Sequence, residues 1–203
     1  MVKCGWKPPM VGSLKFNVDG SSRGNPGLSG IGGVLRNSDG DIVCLFSAPI
    51  GVGSAMDSEV QAILKACQMC VNELCPADVN ITIECDSQAA VSCVNGAGEV
   101  GNLVIRECIL DIKEILLICK PRLSVKVTSR ESNMAADFLA NQGAEWLGVV
   151  FGLFAWGYWG MHVLGLFAPL SIFSLFFFSA PVGVAVCALV CMVVLLGQLL
   201  ADE

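Results

Sequence analysis

The chain has 203 residues, eleven of them cysteine, with twelve basic and eighteen acidic side chains and a formal charge of −6. That length suffices for one core-bearing domain and an appendage. An acidic balance excludes a protein that holds polynucleotide by bulk positive charge, so any such grip must come from local patches or metal ions.

Residues 1–13, with Pro8 and Pro9, form an extended leader. Leu14, Phe16 and Val18 then alternate with Lys15, Asn17 and Asp19, which predicts a first strand over 14–19 with Asp19 on the face opposite Phe16. Gly20 to Gly27, Gly-Ser-Ser-Arg-Gly-Asn-Pro-Gly, reads as a glycine-rich turn. Gly30 to Arg36 is a second strand, Asn37-Ser38-Asp39-Gly40 a hairpin turn and Asp41 to Ala48 a third strand. From Ser54, a good N-cap, the period becomes helical, with Val60, Ile63, Leu64, Cys67, Val71 and Leu74 recurring at three- and four-residue steps. Cys75-Pro76-Ala77-Asp78 ends that helix. Val79 to Cys85 is a fourth strand with Ile81, Ile83 and Cys85 on one face, Thr82 and Glu84 on the other, and Asp86 at its tip. A short helix follows from Asp86, closed by Asn95-Gly96, and a third helix runs from Asn102 to Cys119 until Pro121 breaks it. Leu123 to Val127 is a fifth strand and Asn133 to Trp146 the closing helix. This order predicts an α/β fold, a mixed five-stranded sheet with helices on its faces. Strand four must lie parallel to strand one, because a helical crossover joins them.

The cysteines are scattered, odd in number and mostly inside apolar periodic runs, which argues for reduced core thiols rather than a disulfide framework. Cys67-Gln68-Met69-Cys70 has metal-type spacing, but it sits in a helical pattern with no second pair or histidine beside it. The N-terminus lacks an apolar run of signal-peptide length. Beyond the domain at 14–146, the stretch 147–201 contains no formally charged residue. Leu147 to Phe167 and Val182 to Leu200 each have membrane-spanning length, so composition predicts one or two transmembrane helices. The expected location is then a membrane with the domain on the cytoplasmic side, or the nucleus or cytoplasm if the tail does not insert. The tail also fits a fused, transposon-derived or wrongly predicted exon.

Asp19-Gly20-Ser21 followed by Gly24-Asn25-Pro26-Gly27 resembles the first motif of the ribonuclease H family, in its plant reverse-transcriptase-like branch. Ser58-Glu59-Val60-Gln61-Ala62, Cys85-Asp86-Ser87-Gln88 and Asn133-Met134-Ala135-Ala136-Asp137-Phe138-Leu139-Ala140 resemble the remaining motifs in family order. The resemblance implies that Asp19, Glu59, Asp86 and Asp137 form a catalytic, metal-binding set. Asp19 and Asp86 would be the central ligands, Glu59 the ligand of one ion and Asp137 the more peripheral one. Clustered carboxylates repel unless cations neutralise them, and hard oxygen donors suit two Mg²⁺, with Mn²⁺ able to substitute. The implied reaction is in-line, two-metal endonucleolytic cleavage of the RNA strand of an RNA–DNA hybrid, leaving 5′-phosphate and 3′-hydroxyl ends. Gly20, Ser21, Arg23, Asn25, Ser87, Gln88 and Asn133 are the implied substrate-binding residues.

The departures from the family pattern are specific. Val127 stands where relatives often carry a loop histidine, and the single histidine, His162, lies in the uncharged tail. Ala55, Met56 and Asp57 replace the binding amides before the helical glutamate, and Gly96 to Gly101 offers no basic handle. Arg23, Arg36, Lys126 and Arg130 remain as phosphate contacts. The expectation is a slow nuclease; the alternatives are a domesticated, membrane-anchored nucleic-acid-binding module that keeps the acids without useful turnover, and a protein whose tail is the functional part.

Overall fold

A computed structural model describes residues 5–71, 79–96 and 102–145. Among these described residues nine elements follow one another: β1 (Ser13–Gly24), β2 (Gly27–Arg36), β3 (Ile42–Gly53), α1 (Ala55–Met69), β4 (Asn80–Cys85), α2 (Gln88–Val94), α3 (Leu103–Ile118), β5 (Leu123–Val127) and α4 (130–145). The strands form one sheet in the order β3-β2-β1-β4-β5. The first three make an antiparallel meander, while β4 pairs parallel to β1 and to β5, as the crossover requires.

One expectation is corrected here. The run Gly20 to Gly24 is strand rather than turn, because Gly20, Ser21, Ser22, Arg23 and Gly24 register against Ile31, Gly30, Ser29, Leu28 and Gly27. The hydrogen-bond ladder of β2 holds residues that, without a partner, would favour a turn, and only Asn25-Pro26 remains to reverse the chain. β2 and β3 are likewise longer than their apolar patterns, reaching Gly27 and Gly53. The predicted turn at Asn37 is present, with Asn37 Oδ1 accepting from the amides of Asp39 and Asp41, both at 2.9 Å.

Adjacent residues of β1 face opposite layers, and two glycines mark how closely each layer approaches. A Cβ on Gly20 would lie 2.2 Å from the Ser58 carbonyl carbon of α1. Gly32, the cross-strand partner of Asp19, would place a Cβ 2.3 Å from the Ala140 amide of α4. Asp19 therefore faces α4, and Gly20, with Phe16 and Val18, faces α1. The core lies on the α1 side, where Phe16, Val18, Ile63, Ile81 and Ile83 are fully buried. Phe16 and Phe46 meet edge to face with centroids 5.7 Å apart. Ser54 caps α1 in a capping box with Asp57, and Asn102 caps α3.

Residues 1–4, residues 72–78 with the expected last turn of the first helix and its stop at 75–78, the loop after Gly96 and everything from Trp146 onward lie outside the described residues, and with them the tail's expected spans and His162. Among the described residues no helix is long and apolar enough to cross a membrane.

Candidate active site

The parallel pairing of β1 with β4 is what brings distant acids together. Asn17 registers with Glu84, so two residues further on Asp19, midway along β1, and Asp86, one residue past β4, come side by side. Asp19 is only 4% exposed. Asn133, in the first turns of α4, donates its Nδ2 to the Val18 carbonyl at 3.0 Å and to Asp19 Oδ1 at 3.1 Å. Glu59, on the α1 turn that crosses Gly20, accepts on one oxygen, Oε2, from the Gly20 amide and from the Cys85 thiol, each at 3.3 Å. That leaves Oε1 outside both bonds. Asp137 follows Asn133 by one helical turn and so lies on the same face of α4. All four expected acids line one cleft of about 510 Å³, together with Gly20, Arg130, Glu131 and Met134.

A ladder of polar bonds sets α4 against β1. Alternate strand residues, Asp19, Ser21 and Arg23, meet helix residues Asn133, Asn141 and Glu145. Ser21 Oγ donates to Asn141 Oδ1 at 2.6 Å, and Asn141 Nδ2 donates to Asp137 Oδ1 at 3.0 Å and to the Asp137 carbonyl at 2.9 Å. Arg23 forms an ion pair with Glu145, both ends half in solvent.

The electrostatics follow from this crowding. Burial, and then the charges of Glu59, Asp86 and Asp137, push the Asp19 carboxyl up to about 9, with a hydrogen bond to Asp86 adding to the shift. Burial raises Glu59 to about 7 against the opposing bond from Cys85. The Cys85 thiol is itself held far above its usual range by burial and by the charge of Glu59, so it stays a donor. Among the described residues Arg130 supplies the opposite charge paired here, its Nε 3.7 Å from Asp86 Oδ2. A proton held on a buried acid by its anionic neighbours is displaced by a cation, and the donors are hard carboxylate oxygens, which fits divalent magnesium. Ligand atoms of Glu59, Cys85 and Asp86 lie within 4.8 Å of one another, so the Glu59 and Asp86 carboxylates are close enough to share an ion while the protonated Cys85 thiol stays a hydrogen-bond donor.

The residues expected to meet substrate are placed less uniformly. Gly20 lines the cleft. Ser21 is engaged by Asn141 and Arg23 by Glu145. Asn25 sits at the hairpin tip, its Oδ1 accepting from the Ala55 amide at 3.4 Å. Ser87 caps α2 through the Ala90 amide, and Gln88 bonds Ser92 on the exposed face. Asn133 is buried, its amide nitrogen given to Asp19 and its Oδ1 without a hydrogen-bond partner. Of the four basic candidates only Arg130 lines the cleft; the Arg36 guanidinium stacks 5.0 Å from the centre of the Trp6 ring. Asp57 is engaged in the cap of α1. Val127 ends β5, 40% exposed. The sequence reading missed Asn141 and Cys85. Asn141 had a signal, its i+4 spacing from Asp137; Cys85 was legible only as an inward-facing residue of a strand.

Residues 17–143 match the family described as reverse transcriptase-like. The chain is 34% identical over 140 residues to an Arabidopsis thaliana protein that bears a ribonuclease H name, an alignment over 68% of this chain and about a fifth, 21%, of that protein. It is 30% identical over 142 residues to ribonuclease HI of Halobacterium salinarum, over 68% of each. Among solved structures, ribonuclease H1 of that archaeon superposes with a TM-score of 0.59 at 28% identity, over 66% of this chain and 98% of the other. A ribonuclease H1 solved in complex with an RNA/DNA hybrid gives a TM-score of 0.59 at 27% identity, over 66% and 97%.

Proposed function

The chain belongs to the reverse transcriptase-like family of ribonuclease H domains, and from that membership we propose that it is a metal-dependent hydrolase that cuts the RNA strand of RNA–DNA hybrids. The observation that carries this reading is the convergence of Asp19, Glu59, Asp86 and Asp137 on one cleft, with the Asp19 carboxyl raised by burial and then by its three acidic neighbours. A relative of the same fold was solved with an RNA/DNA hybrid, which supports the substrate class.

Asp19, midway along β1, and Asp86, just past the end of β4, would hold a divalent ion between them, with Glu59 and Asp137 approaching from the two faces of the sheet. Mg²⁺, or Mn²⁺ in its place, supplies charge neutralisation at the phosphodiester and activation for in-line attack when bound. The Gly20 amide and the Cys85 thiol fix Glu59 from behind, so its second carboxylate oxygen is available to the cleft. Asn133 holds Asp19 by its Oδ1. Arg130, 92% exposed beside Asp86, is placed to meet a backbone phosphate. Shape and 2′-hydroxyl contacts need little reading of bases, so no sequence preference is expected. Val127 provides no proton-transfer group, and the missing assistance is worth about 10²- to 10⁴-fold, which makes this a slow enzyme.

The test is incubation of the full chain with end-labelled RNA–DNA hybrid, RNA duplex and DNA duplex in MgCl₂ or MnCl₂. Cleavage of the hybrid's RNA strand alone, with 5′-phosphate ends, and its loss in Asp19→Asn are expected. Val127 also favours a second reading, a binding module without turnover. Hybrid retained equally by wild type and Asp19→Asn, with no product under either metal, would establish that reading and remove the nuclease.

A further inference from the structure

We infer that Asn141 is a positioning residue for Asp137, and that Ser21 serves it rather than substrate; this rests on the cleft's reading as a divalent-cation site. Asp137 is the exposed one of the four acids, so packing does little to fix its rotamer. Asn141 supplies the constraint that packing does not. Its Nδ2 has two acceptors on Asp137, the side-chain Oδ1 at 3.0 Å and the backbone carbonyl at 2.9 Å, and its Oδ1 takes the Ser21 hydroxyl at 2.6 Å.

These three bonds orient the amide. A flip of its two ends would set the amide oxygen against the Asp137 carboxylate and carbonyl, three acceptors with no proton between them. Ser21 lies two residues beyond Asp19 on the same strand face, so the bond runs from the strand carrying the central acid to the helix carrying the peripheral one. Asp137 Oδ1 is held back toward Asn141, and Oδ2 is the oxygen left for a cation. Residues behind a ligand that fix its rotamer act on metal affinity through pre-organisation.

The experiment is calorimetric titration of the full chain with MgCl₂, on wild type and on Asn141→Ala, Ser21→Ala, Asp137→Asn and the Asp137→Asn/Asn141→Ala pair. Asn141→Ala is expected to weaken Mg²⁺ binding about tenfold, the lower end of the effect of removing such a partner, and Ser21→Ala by less. The thermal midpoint in EDTA should hardly move, because Asn141 is outside the core. In the Asp137→Asn background, Asn141→Ala should add nothing. An unchanged Mg²⁺ affinity in Asn141→Ala, or an equal loss with and without the Asp137 carboxylate, overturns the inference while leaving the cleft's reading intact. No Mg²⁺ binding by wild type overturns that reading, and the inference with it.

Discussion

Asp19 is in tension with its own fold. In the unfolded chain it ionises near its ordinary 3.8, whereas in the metal-free fold its carboxyl keeps its proton up to about 9. Between those values the folded state binds the extra proton, so stability is full below the unfolded value and falls as pH rises toward the folded one. The slope is at most about 1.4 kcal/mol per pH unit for one proton. Glu59 adds to the loss between 4.5 and about 7. The urea midpoint measured in EDTA should therefore be lower at pH 8 than at pH 5.5, and Mg²⁺ should raise it more at pH 8, where it has fewer protons to displace. Asp19→Asn should flatten that dependence while abolishing cleavage; a midpoint independent of pH in wild type would refute the account. Val127 presents the converse case, a missing group. Val127→His should speed the chemical step by about 10²-fold, the lower end of such assistance, read from single-turnover cleavage at saturating hybrid, and no gain would mean that this position does not reach the reacting phosphate.

At the scale of elements the site depends on how closely two helices approach one sheet. α1 crosses β1 over Gly20, and α4 crosses β2 over Gly32, where any side chain would meet backbone within 2.3 Å. Gly32→Val should lower the unfolding free energy by about 3 kcal/mol or more, the upper range for overpacking, as read from urea titration. Because the displaced helix carries Asn133, Asp137 and Asn141, Mg²⁺ affinity should fall with it, and a stable variant with wild-type affinity would show that α4 does not register the site. The β1–α4 ladder is uneven in strength: its exposed Arg23–Glu145 rung contributes little, while the Asp19–Asn133 rung is buried. Its specificity thus lies at the end nearest the acids.

For the whole molecule the charge balance sets how substrate is held. The formal charge is −6, and among the expected basic contacts only Arg130 lines the cleft. Affinity for a hybrid should accordingly show a shallow salt dependence, with a slope near −1 in log K against log salt rather than the −6 to −10 of proteins making many phosphate contacts. Arg130→Ala should flatten that slope further and weaken binding uniformly across sequences, measured by fluorescence anisotropy in EDTA-free Ca²⁺ buffer. A steep slope in wild type would indicate phosphate contacts from basic side chains outside the cleft.

The order of strands and helices, the cap at Ser54 and the hairpin at Asn37 were legible in the sequence because each is set by neighbours a few residues away. The four acids were found through motif resemblance, and locally each reads as an ordinary turn, cap or surface carboxylate. Only tertiary structure decided that Ser21 meets Asn141, 120 positions away, and that Glu59 takes a thiol from Cys85 across 26. It also extended β1 through a run whose composition reads as turn, since a ladder to a second strand outweighs local preference. The raised carboxyl of Asp19 belongs to the same class: burial and neighbouring charge are properties of the assembled cleft, and no local pattern encodes them.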